Sequence, residues 1–261
     1  MEFKTIGYAV DAGAARVTLN RPERLNALTL EMIGELQHAL GLAAAAQPPV
    51  RALYVTGAGR GFSSGHDLAS PRKAFPEDPR EPLRDYYIPL IQLLRALPFP
   101  TIAVVNGACA GAGMGIALAC DFVVAGRSAY FLPAFVNIGL VPDSGVSGLL
   151  ASKLGEARAT ALLMLGERFS AEDAATWGLV WKCVADEELA DTADALIRKL
   201  ATGPTQTYAA IKRLMRNAAS NPLQVQMQAE AEAQATIRLS ADSLEAKRAF
   251  LERRKPEFTG L

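Results

Sequence analysis

Segments of strand length and segments with helical spacing alternate along the first two thirds of the chain. Apolar or alternating stretches typical of strands occur at 15–20, 51–56, 101–105 and 122–124. Apolar stripes at helical spacing occur at 28–42, 86–97 and 112–120. This order, with short connections, predicts a mixed α/β domain whose strands are covered by helices.

The last third of the chain has a different pattern. Residues 170–173 (Ser-Ala-Glu-Asp) have the form of a capping box that opens a helix. Beyond residue 186 no strand pattern remains, and four helical stretches fill the rest, the last around 242–254. We therefore predict a core over residues 1–200 and a helical C-terminal region over residues 201–261.

Between the strands at 51–56 and 101–105, residues 69–85 carry four prolines among charged side chains. This composition predicts a mobile surface segment. We interpret the acids at 77–85 as a solvated face, and a second catalytic acid in this stretch stays open.

The composition excludes several classes of function. With 261 residues, 50% of them apolar and 21% charged, the chain can bury a sizeable core and is typical of a globular protein. The 27 basic residues equal the 27 acidic ones, so no overall field attracts nucleic acid or a membrane surface. Three scattered cysteines provide neither a disulfide framework nor a zinc site. Because no signal pattern or bilayer-spanning run is found, we expect a cytoplasmic protein. We also expect that the protein needs no metal.

Two glycine-rich stretches, 61–68 and 106–115, directly follow predicted strands. Such a turn points backbone N–H groups into a cleft, and a helix that begins beside it adds partial positive charge. Two donors that converge on one point form an oxyanion hole, which stabilises negative charge on a carbonyl oxygen. Tight packing of a helix on a strand also explains the glycines, so the residues alone leave both interpretations open. The second stretch matches neither a phosphate-binding loop nor the dinucleotide fingerprint.

Asp143 is the candidate acid–base group, because it is the one charged residue of the stretch 139–145. A carboxylate among apolar neighbours is desolvated, which raises its pKa and suits it to carry a proton. Asp143 also follows a proline, and as an N-cap it would suit a helix over 144–154. Both roles stay open at this point.

A set of ordered motifs along nearly the whole chain resembles the crotonase (enoyl-CoA hydratase/isomerase) superfamily. They are Asn20-Arg21-Pro22, Leu25-Asn26-Ala27-Leu28, Thr56-Gly57, Phe62–Leu68, Asn106-Gly107, Cys120-Asp121, Trp177-Gly178-Leu179-Val180 and Ala249–Lys255. The resemblance implies a spiral ββα fold with a C-terminal helical trimerisation region, assembled as a homotrimer or as a hexamer of two trimers. It also implies an acyl-CoA substrate, with no cofactor beyond the CoA moiety.

The resemblance assigns roles to individual positions. The backbone N–H groups of His66 and Ala112 would form the oxyanion hole. Phe250 and Arg253 match positions that close the CoA site, in some relatives from a neighbouring subunit. The residues expected to line the path of the CoA moiety are Arg24, Leu25, Ser64, His66, Asp67, Leu68 and Gly111.

The departures from the family pattern indicate the reaction. Hydratases of the superfamily use two glutamates, and here those positions hold Gly115 and Phe135. Asp143 matches the acid–base position of several isomerase branches, and the stretches 134–143 and 255–260 look closest to the ring-1,2-epoxyphenylacetyl-CoA isomerase branch of phenylacetate breakdown and to enoyl-CoA isomerases. Without two acids, water cannot be both deprotonated and added across a double bond, so the pattern favours isomerisation.

The acyl group would meet a pocket lined by the residues around these positions. We expect Phe135, Leu140 and Val141 to wall the Asp143 carboxylate. Tyr86 and Tyr87 are candidates for the pocket beside Gly115, although tyrosines at such positions are also common in protein cores. Three alternatives remain open: a hydratase-like lyase of fatty-acid or aromatic degradation, a dehalogenase or thioesterase, and a CoA-ester binder without activity. The dehalogenase pattern needs a histidine near residue 88, where this chain has isoleucine.

Overall fold

Two sheets form the centre of the computed structural model, which describes residues 3–69, 78 and 80–261. The strands of the first sheet are β1 (Ile6–Asp11), β2 (Ala14–Leu19), β3 (Ala52–Gly57), β5 (Thr101–Val105), β7 (Phe122–Gly126) and β10 (Lys182–Val184). Those of the second sheet are β4 (Gly61–Ser63), β6 (Ala108–Ala110), β8 (Tyr130–Leu132) and β9 (Phe169–Ser170). Their orders are β1-β2-β3-β5-β7-β10 and β4-β6-β8-β9. Pairing is parallel except at β1–β2 and β8–β9.

The chain alternates between the two sheets. Each of β3, β5 and β7 continues, after a few residues, into a short strand of the second sheet. This repetition produces the ββα spiral expected from the resemblance, and the predicted mixed α/β class is confirmed. The prediction that the glycine-rich stretches are loops is wrong in part, because β4 and β6 lie inside them and pair with each other. Strands of three residues are too short to show a period in the sequence.

Ten helices cover the sheets within the described residues. They are α1 (Leu30–Ala45), α2 (Ile88–Ala96), α3 (Ala112–Ala119), α4 (Val146–Leu154), α5 (Glu156–Leu165), α6 (Ala171–Thr176), α7 (Leu189–Ala201), α8 (Thr205–Ala218), α9 (Leu223–Ile237) and α10 (Ala241–Leu251). The capping box is confirmed, because the Asp173 N–H donates to Ser170 Oγ at 3.0 Å. The four helices after residue 186 are confirmed as well.

Helix α3 has no polar side chains, because it lies in the hydrophobic core. Every residue of α3 is buried, and the helix packs against β5, β6 and the helices α2 and α4. A second apolar cluster lies under α7, against the other face of β3, β5 and β7. The first turn of α3 is thus held rigidly in the middle of the molecule.

Two polar anchors tie the C-terminal helices to the sheets. Lys212 of α8 contacts the Asp121 carboxylate at 2.7 Å, and Arg51 Nη2 donates to the Gly203 and Phe258 carbonyls at 2.6 and 3.1 Å. The division at residues 200 and 201, and trimerisation through the later helices, stay predictions.

Of the segment 69–85 predicted to be mobile, residues 70–77 and 79 lie outside the described part of the chain. The end of the segment is helical, because Leu83–Tyr87 form a π-helical turn that leads into α2. Such widened turns are frequent near functional sites, and this one delivers Tyr87 to the interior. Across the described residues, none of the helices combines the length and apolar character needed to cross a bilayer.

Candidate active site

The two glycine-rich stretches meet at Gly65 and Gly111. A Cβ atom added to Gly65, whose φ is +89°, would lie only 2.9 Å from the Ala110 carbonyl oxygen and 3.4 Å from the Ala112 nitrogen. The parallel pairing of β4 with β6 creates this close approach, which only glycine permits. The prediction that the two stretches come together is therefore confirmed by the fold.

The peptide groups that follow these glycines are those of His66 and Ala112. Ala112 is the first residue of α3, where helical N–H groups have no partner inside their own helix. His66 forms a parallel bridge with Leu28, in which the Leu28 N–H donates to the Gly65 carbonyl and the Asp67 N–H donates to the Leu28 carbonyl. In such a bridge the N–H of His66 itself faces away from Leu28. The structure thus brings the two predicted donors to adjacent turns.

Buried polar side chains hold in place the turn at residues 64–67, which we call the first turn. The Asn26 amide, fully buried, donates to the carbonyls of Ala58 and Gly61 at 2.9 and 2.8 Å. Ser63 Oγ donates to the Asn26 carbonyl at 2.9 Å and accepts from the Gly65 N–H at 3.2 Å. Sequence reasoning assigned Asn26 and Ser63 no role, although both stand inside motifs that carried the resemblance.

Asp67 anchors the same turn through an ion pair. Arg21 Nη1 contacts its carboxylate at 2.9 Å, and the Ala69 N–H donates to it at 3.0 Å. Burial raises the pKa of Asp67, but the Arg21 hydrogen bond, the Ala69 N–H and the charges of Arg21 and Arg24 outweigh it, so the pKa lies below its ordinary value. The Asp67 carboxylate therefore holds the turn. Its predicted place on the CoA path stays a prediction.

Asp143 lies in the turn before α4 and is half-buried. Burial raises its pKa above the ordinary value, against the lowering effects of the Ser144 hydrogen bond and the His66 ring. Of the three residues expected to wall the carboxylate, Phe135 is 6% exposed, whereas Leu140 and Val141 are 56% and 81% exposed. That they wall Asp143 stays a prediction, and the direction of the pKa shift is the one expected from the sequence.

The capping role considered for Asp143 is wrong. Helix α4 begins at Val146 with Gly145 as its N-cap, and no side chain makes a capping hydrogen bond there. The Asp143 carboxylate instead accepts the Ser144 hydroxyl at 2.8 Å, while its main-chain carbonyl accepts the Val146 N–H at 2.9 Å. Two consecutive residues with positive φ, Ser144 and Gly145, separate Asp143 from the first residue of α4.

The rings of His66 and Tyr87 form the polar surface that Asp143 faces. The Tyr87 hydroxyl lies 2.7 Å from His66 Nδ1, and the tyrosine is only 3% exposed. Burial lowers the pKa of His66 more than the charges of Asp143 and Asp67 raise it, so the imidazole is neutral at pH 7. Burial, reinforced by the same two carboxylates, raises the pKa of Tyr87. The ring of His66 therefore has a buried hydrogen-bond partner in addition to the role predicted for its backbone N–H.

Gly115 is covered by the turn that carries Asp143. A Cβ atom added to Gly115 would lie 2.5 Å from the Ser144 carbonyl oxygen and 2.7 Å from the Ser144 Cβ. A side chain at this position would collide with Ser144. The main chain cannot move aside as the end of a flexible side chain can, so the whole turn would have to shift. At the position where the resemblance predicts a glutamate in hydratases, this chain thus has a glycine whose Cβ space is filled by Ser144.

The other predicted ligand-lining residues lie in three places: beside the first turn, in the π-helical turn, and at the end of α10. Ser64 donates through its N–H to the Leu25 carbonyl at 2.9 Å and through its hydroxyl to the Arg24 carbonyl at 3.3 Å. Leu68 is 67% exposed beside them. The carbonyl of Tyr86, half-buried, accepts the Gln37 amide at 2.8 Å. On the C-terminal helix, Phe250 is 81% exposed and Arg253 follows it at the surface.

A large cavity among the described residues lies elsewhere. It measures about 820 Å³ and runs between α2, α4 and α8, with Ile91, Gly145, Leu149 and Lys212 in its wall. It contains none of the described residues predicted for the site. Because cavity volume and reactive groups point to different places, we place the site by its converging groups. No cluster of His, Cys, Asp or Glu side chains in the described chain is arranged to hold a metal ion.

Comparison with known proteins gives a consistent picture of the chain as a whole. A model of the enoyl-CoA hydratase/isomerase family matches residues 9–261. The chain is 44% identical over 264 residues to the 1,2-epoxyphenylacetyl-CoA isomerase of Escherichia coli K12, covering 100% of this chain and 99% of that protein. It is 42% identical over 260 residues, and 100% of both chains, to a Rhodobacter capsulatus protein named as an enoyl-CoA hydratase.

Solved structures agree with the fold. A crystal structure from Mycobacterium abscessus, described as an enoyl-CoA hydratase/isomerase, is 41% identical to this chain with a TM-score of 0.91. The match covers 98% of this chain and 100% of that one. The names of the relatives divide between isomerases and hydratases, so the choice of reaction depends on the geometry around Asp143.

Proposed function

The chain belongs to the enoyl-CoA hydratase/isomerase family, and from this premise we propose that it isomerises an acyl-CoA thioester with Asp143 as the single proton carrier. The reaction is either migration of an enoyl double bond or isomerisation of an epoxidised aromatic ring. The contact of Gly115 with Ser144 is the observation that carries this proposal. With glycine at position 115, the first of the two hydratase glutamates is missing. The same glycine lets the turn that carries Asp143 pack against α3, the helix that would provide an oxyanion donor.

In this proposal the thioester oxygen binds between the N–H groups of His66 and Ala112. Their hydrogen bonds, with the N-terminal end of α3, stabilise the negative charge that develops when a proton leaves the α carbon. The C–H electron pair moves into the enolate, and the Asp143 carboxylate takes the proton. Return of that proton to the γ carbon shifts the double bond and restores the carboxylate. One carboxyl group suffices because nothing is added to the substrate.

The surroundings of Asp143 support this role. Burial keeps its pKa above that of an ordinary aspartate, which brings a carboxyl group closer to the range where proton transfer in both directions is efficient. The charge of His66 lowers the pKa of Asp143 less than burial raises it. Hydration is disfavoured, because neither Gly115 nor Phe135 carries a group that could activate water.

The CoA moiety would run past Arg24, Leu25 and Ser64 beside the first turn, where the Ser64 N–H donates to the Leu25 carbonyl and the Ser64 hydroxyl donates to the Arg24 carbonyl. Phe250 and Arg253 would complete that path in an assembly of several copies, since both are exposed in the single chain. We propose a trimer or a hexamer for this reason, and no cofactor beyond CoA itself. The relative with an aromatic substrate supports a role in phenylacetate breakdown, and double-bond migration would serve fatty-acid metabolism.

Turnover by the purified protein on three CoA esters tests the proposal. A 3-enoyl-CoA, a 2-enoyl-CoA and an epoxidised aromatic acyl-CoA are each followed by chromatography and mass. We expect a product of unchanged mass from the first or the third ester. Hydration of the 2-enoyl ester, seen as a gain of one water, would support the hydratase alternative and contradict the proposal. Binding without turnover of any ester would make the protein a binder only.

The variant Asp143→Asn separates binding from chemistry. The amide keeps the shape of the side chain but cannot accept a proton, so isomerisation should fall by about a thousandfold while the affinity for the CoA ester stays unchanged. Activity within about tenfold of the parent would assign the proton transfer to another group.

A further inference from the structure

Ser144 adopts a backbone conformation that a buried serine rarely takes. Its φ is +50°, in the left-handed region, and the residue is only 5% exposed. Non-glycine residues persist in this region where the surrounding structure holds them, and such residues concentrate at functional sites. An aspartate or asparagine would adopt the conformation more readily, so the choice of serine needs another reason.

The hydroxyl of Ser144 provides that reason. Ser144 Oγ donates to Asp143 Oδ1 at 2.8 Å. On the other side of the residue, the Ser144 carbonyl oxygen and Cβ lie against Gly115 of α3. The serine is therefore fixed from behind by the central helix, and its hydroxyl is directed at one of the two carboxylate oxygens.

We propose that Ser144 is a positioning residue that holds Asp143 Oδ1 and thereby presents Oδ2 to the acyl group as the oxygen that accepts and returns the proton. This inference rests on the proposed function. A hydrogen bond to one oxygen removes the rotation that would otherwise exchange the two, so the reactive lone pair keeps one direction toward the α and γ carbons. The donor also favours the charged form of Asp143 and so limits the rise in its pKa that burial causes.

The charged and titratable groups that face Asp143 define what a pH profile would report. They are the His66 ring and the Tyr87 hydroxyl from the first turn and the π-helical turn, and behind them the Asp67 carboxylate with its Arg21 partner. Burial lowers the pKa of His66 and raises that of Tyr87, and both shifts favour the neutral form. The acid limb of the profile should therefore follow Asp143, and loss of a donor to its charged form should move this limb to higher pH.

Two substitutions separate the hydroxyl from the backbone. Ser144→Ala removes the hydroxyl and keeps the left-handed strain, whereas Ser144→Gly removes the hydroxyl and relieves that strain. If the hydroxyl positions the carboxylate, both variants should lose about 10- to 100-fold in kcat with KM within about twofold, and both should shift the acid limb of kcat/KM to higher pH. Ser152→Ala is the matched control, because Ser152 is an exposed serine of α4, eight residues further along the chain.

A double variant shows whether the serine acts through Asp143. In the Asp143→Asn background the further change Ser144→Ala should lower the residual rate by less than about twofold, since the carboxylate it orients is gone. Parent-like kcat and an unshifted acid limb in both single variants, with Asp143→Asn inactive, would overturn the positioning role and leave the proposed function standing. Recovery of the parent rate in Ser144→Gly alone would also overturn it, because strain rather than the hydroxyl would then explain Ser144→Ala. An active Asp143→Asn would overturn both proposals.

Discussion

Asp67 and Asp143 belong to the same site, yet their surroundings move their pKa values in opposite directions. Both carboxylates act on the His66 ring and on the Tyr87 hydroxyl. Arg21 stands 2.9 Å from Asp67 and lowers its pKa against the effect of burial. Asp143 has no Lys or Arg within ion-pair distance in the described chain, and burial raises its pKa. An acid with a cationic partner stays charged and holds structure, whereas a desolvated acid without one can exchange a proton.

This difference supports the proposal that Asp143, rather than Asp67, carries the proton. The sequence already marked Asp143 by its position, and the structure adds that the two carboxyl groups have different surroundings. Separated pKa values are typical of carboxyl groups that have different roles in acid–base sites. Four changes would break or sharpen the comparison.

Exchange of each aspartate for asparagine should have the largest and most unequal effect. Asp143→Asn should lower kcat about a thousandfold, and Asp67→Asn should lower it by less than about tenfold, because only the first removes the proton carrier. The effects of the two changes on Tm should have opposite signs. Asp143→Asn should raise Tm at pH 7, since the raised pKa means that ionised Asp143 destabilises the fold, and this gain should vanish below the pKa of an unfolded aspartate. Asp67→Asn should lower Tm.

An added methyl group at Gly115 should disturb Asp143 from behind. Gly115→Ala places a Cβ 2.5 Å from the Ser144 carbonyl, so the turn must move and kcat should fall about 10- to 100-fold. The overpacking should also lower the free energy of unfolding by about 1–3 kcal/mol. Gly148→Ala on α4 is the control, since no atom lies within 4 Å of its added Cβ. Equal behaviour of the two variants would contradict the packing argument.

Removal of the cation from Asp67 should show in stability more than in rate. Arg21→Met leaves a carboxylate that is 11% exposed without its partner, and the free energy of unfolding at pH 7 should fall by about 2 kcal/mol. Because the folded pKa of Asp67 is lowered, the stabilisation is present above the unfolded pKa and lost as pH falls through the folded one. Urea unfolding should therefore show the two proteins converging below about pH 4. The surface pair Lys4–Glu31, broken by Lys4→Met, should change stability by less than about 1 kcal/mol.

Loss of the Tyr87 hydroxyl should have the smallest effect of the four. Tyr87→Phe removes one buried hydrogen bond to His66 Nδ1, so stability should fall by about 1 kcal/mol and kcat by about threefold. Chemical denaturation and steady-state kinetics measure both. Tyr8→Phe, a half-buried tyrosine on the edge strand β1, is the control for removal of a hydroxyl and should leave kcat unchanged. A loss larger than that of Gly115→Ala would give the tyrosine a direct part in the reaction.

Local pattern was a good guide where elements are long. The strands β2, β3 and β5 and the helices α1 and α3 lie within one to three residues of the predicted bounds, because their apolar periods extend over several residues. The three-residue strands β4 and β6 escaped prediction, although they create the contact of Gly65 with Gly111. The partnership of Tyr87 with His66 spans 21 residues and that of Asp67 with Arg21 spans 46. No local pattern announces such pairs.

The sequence by itself determined the family, the mixed α/β class and the residues that could react, since these depend on residue type and order along the chain. Only the tertiary structure decided which acid is paired and which is desolvated, and that the main chain of Ser144 fills the space beside Gly115. The physical reason is that a pKa and a steric exclusion depend on what surrounds a group in three dimensions. Those surroundings come from segments that are distant along the chain.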